Sequence, residues 1–192
     1  HDNIIFITHS LGSKILMDSL TDIVNTVASA EIRQDVAQHR DAGLIIDDLK
    51  NKEMTVFMLA NQLPLLQIAG GKPQVTGQIP AYCHTKGKHY NDRVFKRVNV
   101  VAFSDPNDLL SYGITQDFVD NYLDSRMCPA VTNVNINVAE EISVFGAGVV
   151  NPVTAHTEYD NDTRVIEMIA KGTENIKNNE ILSRRCRFTR LK

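Results

Sequence analysis

Ile4-Ile5-Phe6-Ile7 is a continuous apolar run suited to a buried strand, and it stops at the small polar group Thr8-His9-Ser10. Directly afterwards Leu16, Leu20, Ile23, Val24 and Val27 recur at helical spacing, with Asp18, Thr21, Asp22 and Asn25 between them. That period predicts an amphipathic helix covering one face of a sheet. Residues 31–52 are charged, with Val36, Leu44, Ile45, Ile46 and Leu49 as apolar anchors, and read as one or two solvated helices broken near Gly43. Residues 54–60 form a second buried strand of parallel type, ended by Gln62-Leu63-Pro64. Gly70, Gly71, Pro73, Gly77 and Pro80 mark residues 70–91 as a long irregular excursion over the end of the sheet, of a length that often shapes a binding site. Residues 98–103 are a third strand running into the turn cluster Ser104-Asp105-Pro106-Asn107-Asp108. A short helix at 116–123, a fourth strand with a polar face at 131–138, a loop at 146–157 carrying His156, and an amphipathic helix at 162–171 ending at Gly172 complete the pattern.

Strands alternating with helices predict an α/β protein, a mostly parallel sheet flanked by helices, over residues 1–172. Arg184, Arg185, Arg187, Arg190 and Lys192 make residues 173–192 a polar, basic tail, read as a solvated terminus. The chain opens at His1 and enters its most apolar strand at once. A central strand needs partners on both edges, so N-terminal strands are expected upstream of this sequence.

Composition narrows the function classes. The 192 residues carry 20 basic and 23 acidic side chains, a formal net charge of -3, which offers no electrostatic attraction to nucleic acid. Polar Asn61, Gln62, Pro64 and Gln67 interrupt the longest apolar stretch, residues 54–69, so no transmembrane segment is expected. Cys83, Cys128 and Cys186 are odd in number, far apart and without C-x-x-C spacing, which suggests neither a disulfide nor a metal site and favours a cytoplasmic setting. No cofactor is implied.

The chemistry begins at Ser10. A strand, a sharp turn and a helix, with Gly12 beyond the Ser, are what a nucleophile elbow requires, because strand and helix must pass closely while the hydroxyl projects above the sheet. Thr8 stands where G-x-S-x-G has its first Gly. A Ser capping a helix N-terminus is the simpler alternative. An anion site there lacks support, because Gly12-Ser13-Lys14 has no earlier Gly at P-loop spacing. Later in the chain an acid at the end of the third strand and a His in the loop after the fourth complete the order Ser, acid, base. Asp108 and Asp105 are the candidate acids, the second placed before Pro106 as a turn former. For the base, His1 is terminal, His39 lies on a charged helix, His84 and His89 precede the acid, and His9 is expected to point away from its neighbour Ser10, which leaves His156.

Thr8-His9-Ser10-Leu11-Gly12, Asn107-Asp108-Leu109-Leu110 and Ala155-His156-Thr157 together resemble the C-terminal two-thirds of a lipase-like or esterase-like α/β-hydrolase. The Asn-Asp pair followed by two apolar residues is similar to the fungal-type lipase pattern and makes Asp108 the preferred acid. The resemblance implies ester cleavage with Ser10 as nucleophile, His156 as base, Asp108 orienting it, and the Leu11 N–H as one oxyanion donor. It puts the second donor on a loop after an earlier strand, outside this chain. The implied partner is a small-molecule or lipid-like acyl ester. A thioesterase or acyltransferase could use the same triad, and a non-catalytic, partner-binding scaffold could use the same fold.

Overall fold

The computed structural model describes residues 3–29, 48–67, 70–140, 142–144, 147–172 and 186–191. Its centre is a five-stranded sheet ordered β1-β2-β3-β4-β7, built from β1 (Asn3–His9), β2 (Glu53–Leu59), β3 (Arg97–Ser104), β4 (Pro129–Ile136) and β7 (Cys186–Arg190). The first four are parallel and in sequential order, and β7 returns antiparallel to β4. The strand ends therefore share a direction, and the turns after β1 and β3 open on the same edge of the sheet.

One face is covered by α1 (Gly12–Ala28) and α4 (Gln116–Tyr122), whose Met17, Leu20, Val24, Phe118 and Val119 pack with Val56, Met58, Val98 and Val100. The other is covered by α6 (Thr163–Lys171), where Val165 and Met168 meet Phe57, Val101, Phe103 and Val134. Successive strand residues face opposite ways, so β2 and β3, buried at most positions, feed both cores. Two short helices, α2 (Leu63–Gln67) and α3 (Ile79–Cys83), follow β2. A two-stranded hairpin, β5 (Ile142–Val144) and β6 (Ala147–Val149), leads into α5 (Pro152–Thr157).

Four expectations need correction. Residues 173–192 are not a tail throughout: Cys186 and Phe188 alternate with Arg187 and Thr189, a period-two pattern that places the first pair on the α6 core and makes β7 a strand of the sheet. The cysteines are not all unpaired. Cys83 at the end of α3 and Cys128 before β4 form a disulfide, so the ground for a cytoplasmic setting falls away, and Cys186 is a buried free thiol. The loop expected to carry His156 is α5, started by Asn151, whose side chain accepts from the Val153 N–H, and by Pro152 at its first position.

The fourth concerns β1, which pairs only with β2 among the described residues, leaving Ile5 (59 % exposed) and Ile7 (56 % exposed) uncovered rather than deeply buried. Of the charged stretch at 31–52, helical residues 48–51 are described and residues 31–47 lie outside the described set, as do residues 68–69, 173–185 and Lys192. Among the described residues no helix is long and apolar enough to cross a membrane.

Candidate functional site

Ser10 leaves β1 with φ 54°, a left-handed backbone that a non-glycine residue adopts only when its surroundings enforce it. The enforcement is visible on both sides. The Ser10 N–H still donates to the Leu59 carbonyl at 2.9 Å, extending the β1–β2 ladder, while the Ser10 carbonyl already accepts from Ser13 N–H in the first turn of α1. Between these ties the chain reverses within one residue and the hydroxyl stands free of the sheet.

Thr8 fits this turn because its hydroxyl lies 3.1 Å from that of fully buried Ser13 and also donates to the Phe57 carbonyl. A methyl added at Gly12 would meet Thr8 Cβ at 3.5 Å, ordinary van der Waals contact. Close passage of strand and helix thus rests on the Thr8–Ser13 pair as much as on Gly12.

His156, on α5, reaches the same edge. Its Nε2 is 3.1 Å from Ser10 Oγ, and its Nδ1 is 2.9 Å and 3.0 Å from the two carboxylate oxygens of Asp108. A carboxylate accepts, so His156 donates to it from Nδ1, and in the neutral imidazole this leaves Nε2 to accept from the Ser10 hydroxyl. Ser10, His156 and Asp108 converge within hydrogen-bond reach although they lie 146 and 48 residues apart in pairs.

Asp108 is held as firmly as it holds. Its side chain is 1 % exposed, and Oδ1 also accepts from the Leu110 N–H at 3.0 Å. Asp105 does not reach His156. Its Oδ1 accepts from the Asn107 backbone and side-chain amides, and its Oδ2 accepts from Val138 N–H at 2.6 Å, so it shapes the turn and ties it to the chain leaving β4.

Three further residues carry the site, and none was singled out from the sequence. Asn61, fully buried after the left-handed Ala60 (φ 48°), exchanges hydrogen bonds with Tyr112: Asn61 Nδ2 donates to the Tyr112 carbonyl and Tyr112 N–H donates to the Asn61 carbonyl. This anchors the far end of the acid-bearing loop to β2. Tyr159, with no exposed surface, places its hydroxyl 3.2 Å from Ser111 Oγ and donates to Asp108 Oδ2 at 3.4 Å. Ser111 in turn accepts from Asp105 N–H, so a chain of donors runs from the loop backbone through Ser111 and Tyr159 to the carboxylate. Burial pushes the Tyr159 hydroxyl far above its ordinary range, and the negative Asp108 and Asp105 push it the same way. Tyr159 therefore remains a neutral donor.

The other histidines separate cleanly. His84 and His89 lie at the opposite end of the sheet, where the excursion folds back under the start of β4: Cys83 is bonded to Cys128, the Ser125 N–H donates to the Val75 carbonyl, and the Tyr82 and His89 rings stack at 5.1 Å. Residues 75–92 thus brace the end of the sheet remote from Ser10. The excursion has to travel there because β3, which it feeds, is parallel to β2 and starts at that end. His1 and His39 are outside the described residues. His9 departs from expectation. Its Nε2–H donates to the His156 carbonyl at 2.9 Å and its ring meets the His156 ring edge-on at 5.3 Å, so it reaches the site rather than pointing away.

Among the described residues no group of three or more His, Cys, Asp and Glu side chains could hold a metal ion. The arrangement can instead move a proton from a hydroxyl to an imidazole whose other nitrogen is fixed on a carboxylate. No protein-family model matches this chain, and no curated protein or solved structure is similar enough to match it.

Proposed function

We propose that the chain is a serine hydrolase of α/β-hydrolase type that cleaves a carboxylic ester through an acyl-enzyme. The observation that carries this reading is the Ser10 Oγ–His156 Nε2 distance of 3.1 Å with His156 Nδ1 2.9 Å from Asp108 Oδ2, mounted on a residue at φ 54°. A Ser that merely capped a helix would not need a left-handed backbone or an imidazole directed at its hydroxyl.

In the first half-reaction Ser10 Oγ attacks the acyl carbon as its proton passes to His156 Nε2, and Asp108 stabilises the imidazolium that forms. The Leu11 N–H, next to the nucleophile, donates to the oxyanion. Collapse breaks the bond to the alcohol, which leaves with the proton from Nε2. A water then gives its proton to Nε2 and attacks the acyl carbon. The bond to Ser10 Oγ breaks, the proton returns to Ser10, and the acid departs.

The surface around this pair favours an apolar acyl group. Leu11 next to Ser10, Leu109 (69 % exposed) and Leu110 next to Asp108, and Val153 (69 % exposed) on α5 beside His156 all present side chains to solvent. Exposed apolar side chains on the three segments that carry Ser10, Asp108 and His156 are what a hydrocarbon chain could cover. The test is hydrolysis of p-nitrophenyl esters of increasing acyl length, with a thioester and an acyl acceptor alongside. The expected result is turnover that rises from acetyl to medium-length acyl groups and is lost in Ser10→Ala. Folded protein without turnover on any acyl donor would favour the non-catalytic scaffold instead.

A further inference from the structure

Two adjacent residues at the end of β1 grip the same distant residue at two points. Ser10 Oγ meets the His156 ring at Nε2 (3.1 Å), and His9 Nε2–H meets the His156 backbone carbonyl (2.9 Å), across 146 and 147 residues of chain respectively. The carbonyl belongs to the last turn of α5, where a helix runs out of internal donors, so an external N–H is the group that completes it. The His9 ring also stands edge-on to the His156 ring at 5.3 Å and to that of Tyr159 at 6.5 Å, at interplanar angles of 74° and 71°. These contacts limit how far the imidazole can swing away from Ser10.

We infer that His9 is a positioning residue for the general base, holding α5 so that His156 Nε2 stays within reach of the Ser10 hydroxyl. The inference rests on the serine hydrolase reading. A direct tie from the nucleophile's own strand to the base's own helix removes a degree of freedom that the Asp108 contact leaves open, because a carboxylate at Nδ1 fixes the ring's tautomer and tilt but not the height of its backbone. Proton transfer rates fall steeply when reacting atoms drift apart by an ångström, which gives the tie kinetic value. His9 is exposed and belongs to neither core cluster.

The side chain's geometry supplies the test. A Gln places its Nε2 donor as many bonds from Cβ as His does, whereas the Asn donor falls one bond short. The full chain and its His9→Asn, His9→Gln and His9→Ala variants are reacted with a fluorophosphonate, and the maximal labelling rate is separated from the half-saturating probe concentration, with thermal midpoints measured in parallel. The expected result is a maximal rate about tenfold lower in His9→Asn and His9→Ala, an unchanged half-saturating concentration, unchanged midpoints, and recovery of at least half the lost rate in His9→Gln. Equal rates in all four proteins would overturn the inference while leaving Ser10 as nucleophile. Loss to the level of Ser10→Ala without rescue by Gln would overturn it too, by making His9 a reacting group. Absence of labelling in the unmodified chain would remove the serine hydrolase reading and the inference with it.

Discussion

At the residue scale, the candidate site is built from groups that are individually ordinary and are arranged by what surrounds them. Ser10 was legible because an apolar run, a small polar turn and a helical period meet at it. Asp108 and His156 were legible through their order along the chain. Tyr159 was not, since a lone Tyr after a His carries no periodic or motif signal and its role exists only through burial against Ser111 and Asp108. His9 was misjudged by a rule about neighbouring side chains that ignores what other elements bring to the same place. The raised Tyr159 titration gives a stability prediction with a definite sign. An unfolded tyrosine ionises near pH 10 while the folded one does not, so above about pH 10 the unfolded state holds fewer protons and stability falls as pH rises. Urea unfolding of Tyr159→Phe is expected to show a shallower alkaline decline than the unaltered chain. At neutral pH the variant should lose about 1–3 kcal/mol through the missing donor.

At the element scale, the acid-bearing loop is the part whose shape most exceeds its sequence. Asp105 and Asp108 sit three residues apart after β3, and spacing alone does not separate them, whereas the pattern Asn107-Asp108-Leu109-Leu110 favours Asp108. The structure divides their work: Asp105 binds Asn107 and Val138, Asp108 binds His156 and Tyr159. Asp108→Asn is expected to lower kcat on a p-nitrophenyl ester by about 10³–10⁴-fold, as loss of the orienting acid does in such triads. Asp105→Asn should chiefly lower the thermal midpoint, measured by circular dichroism, while the folded fraction still turns over substrate. The reverse ranking would mean that the carboxylate roles are exchanged. α5 repeats the lesson at smaller size. Asn151-Pro152 is a helix start that can be read from sequence, but six residues are too few for an apolar period to show.

At the scale of the whole molecule, the four parallel strands were recoverable as elements because β1, β2 and β3 carry compact apolar runs and β4 alternates apolar with polar residues, whereas their order in the sheet has no local signal and β7 was hidden inside a basic segment. Its strand character is conferred by β4, which offers a partner edge and a core for Cys186 and Phe188. The two ends of the sheet differ in what they hold. The turns after β1 and β3 bring Ser10, Asp108 and His156 together, and the opposite end is stapled by Cys83–Cys128 and by the buried Arg126–Asp124 ion pair, which also reaches Asn25 of α1. The cysteine pairing was missed because distance along a chain says nothing of distance across a sheet. Closing a loop with a sequence separation of 45 stabilises by about 4 kcal/mol when the effect comes from unfolded-chain entropy. Cys83→Ser is therefore expected to lower the denaturant midpoint markedly and to leave ester turnover of the folded protein in place. Proportional loss of both would show that the two ends are coupled.

If Ser10 is a nucleophile activated by His156, it can be captured covalently. The full chain is treated with a fluorophosphonate, its intact mass is measured, and the modified peptide is located by fragmentation. The expected result is a single phosphonyl adduct on Ser10 that is absent in Ser10→Ala and strongly slowed in His156→Ala. Folded protein that takes no adduct, or one whose adduct persists after Ser10→Ala, would contradict it.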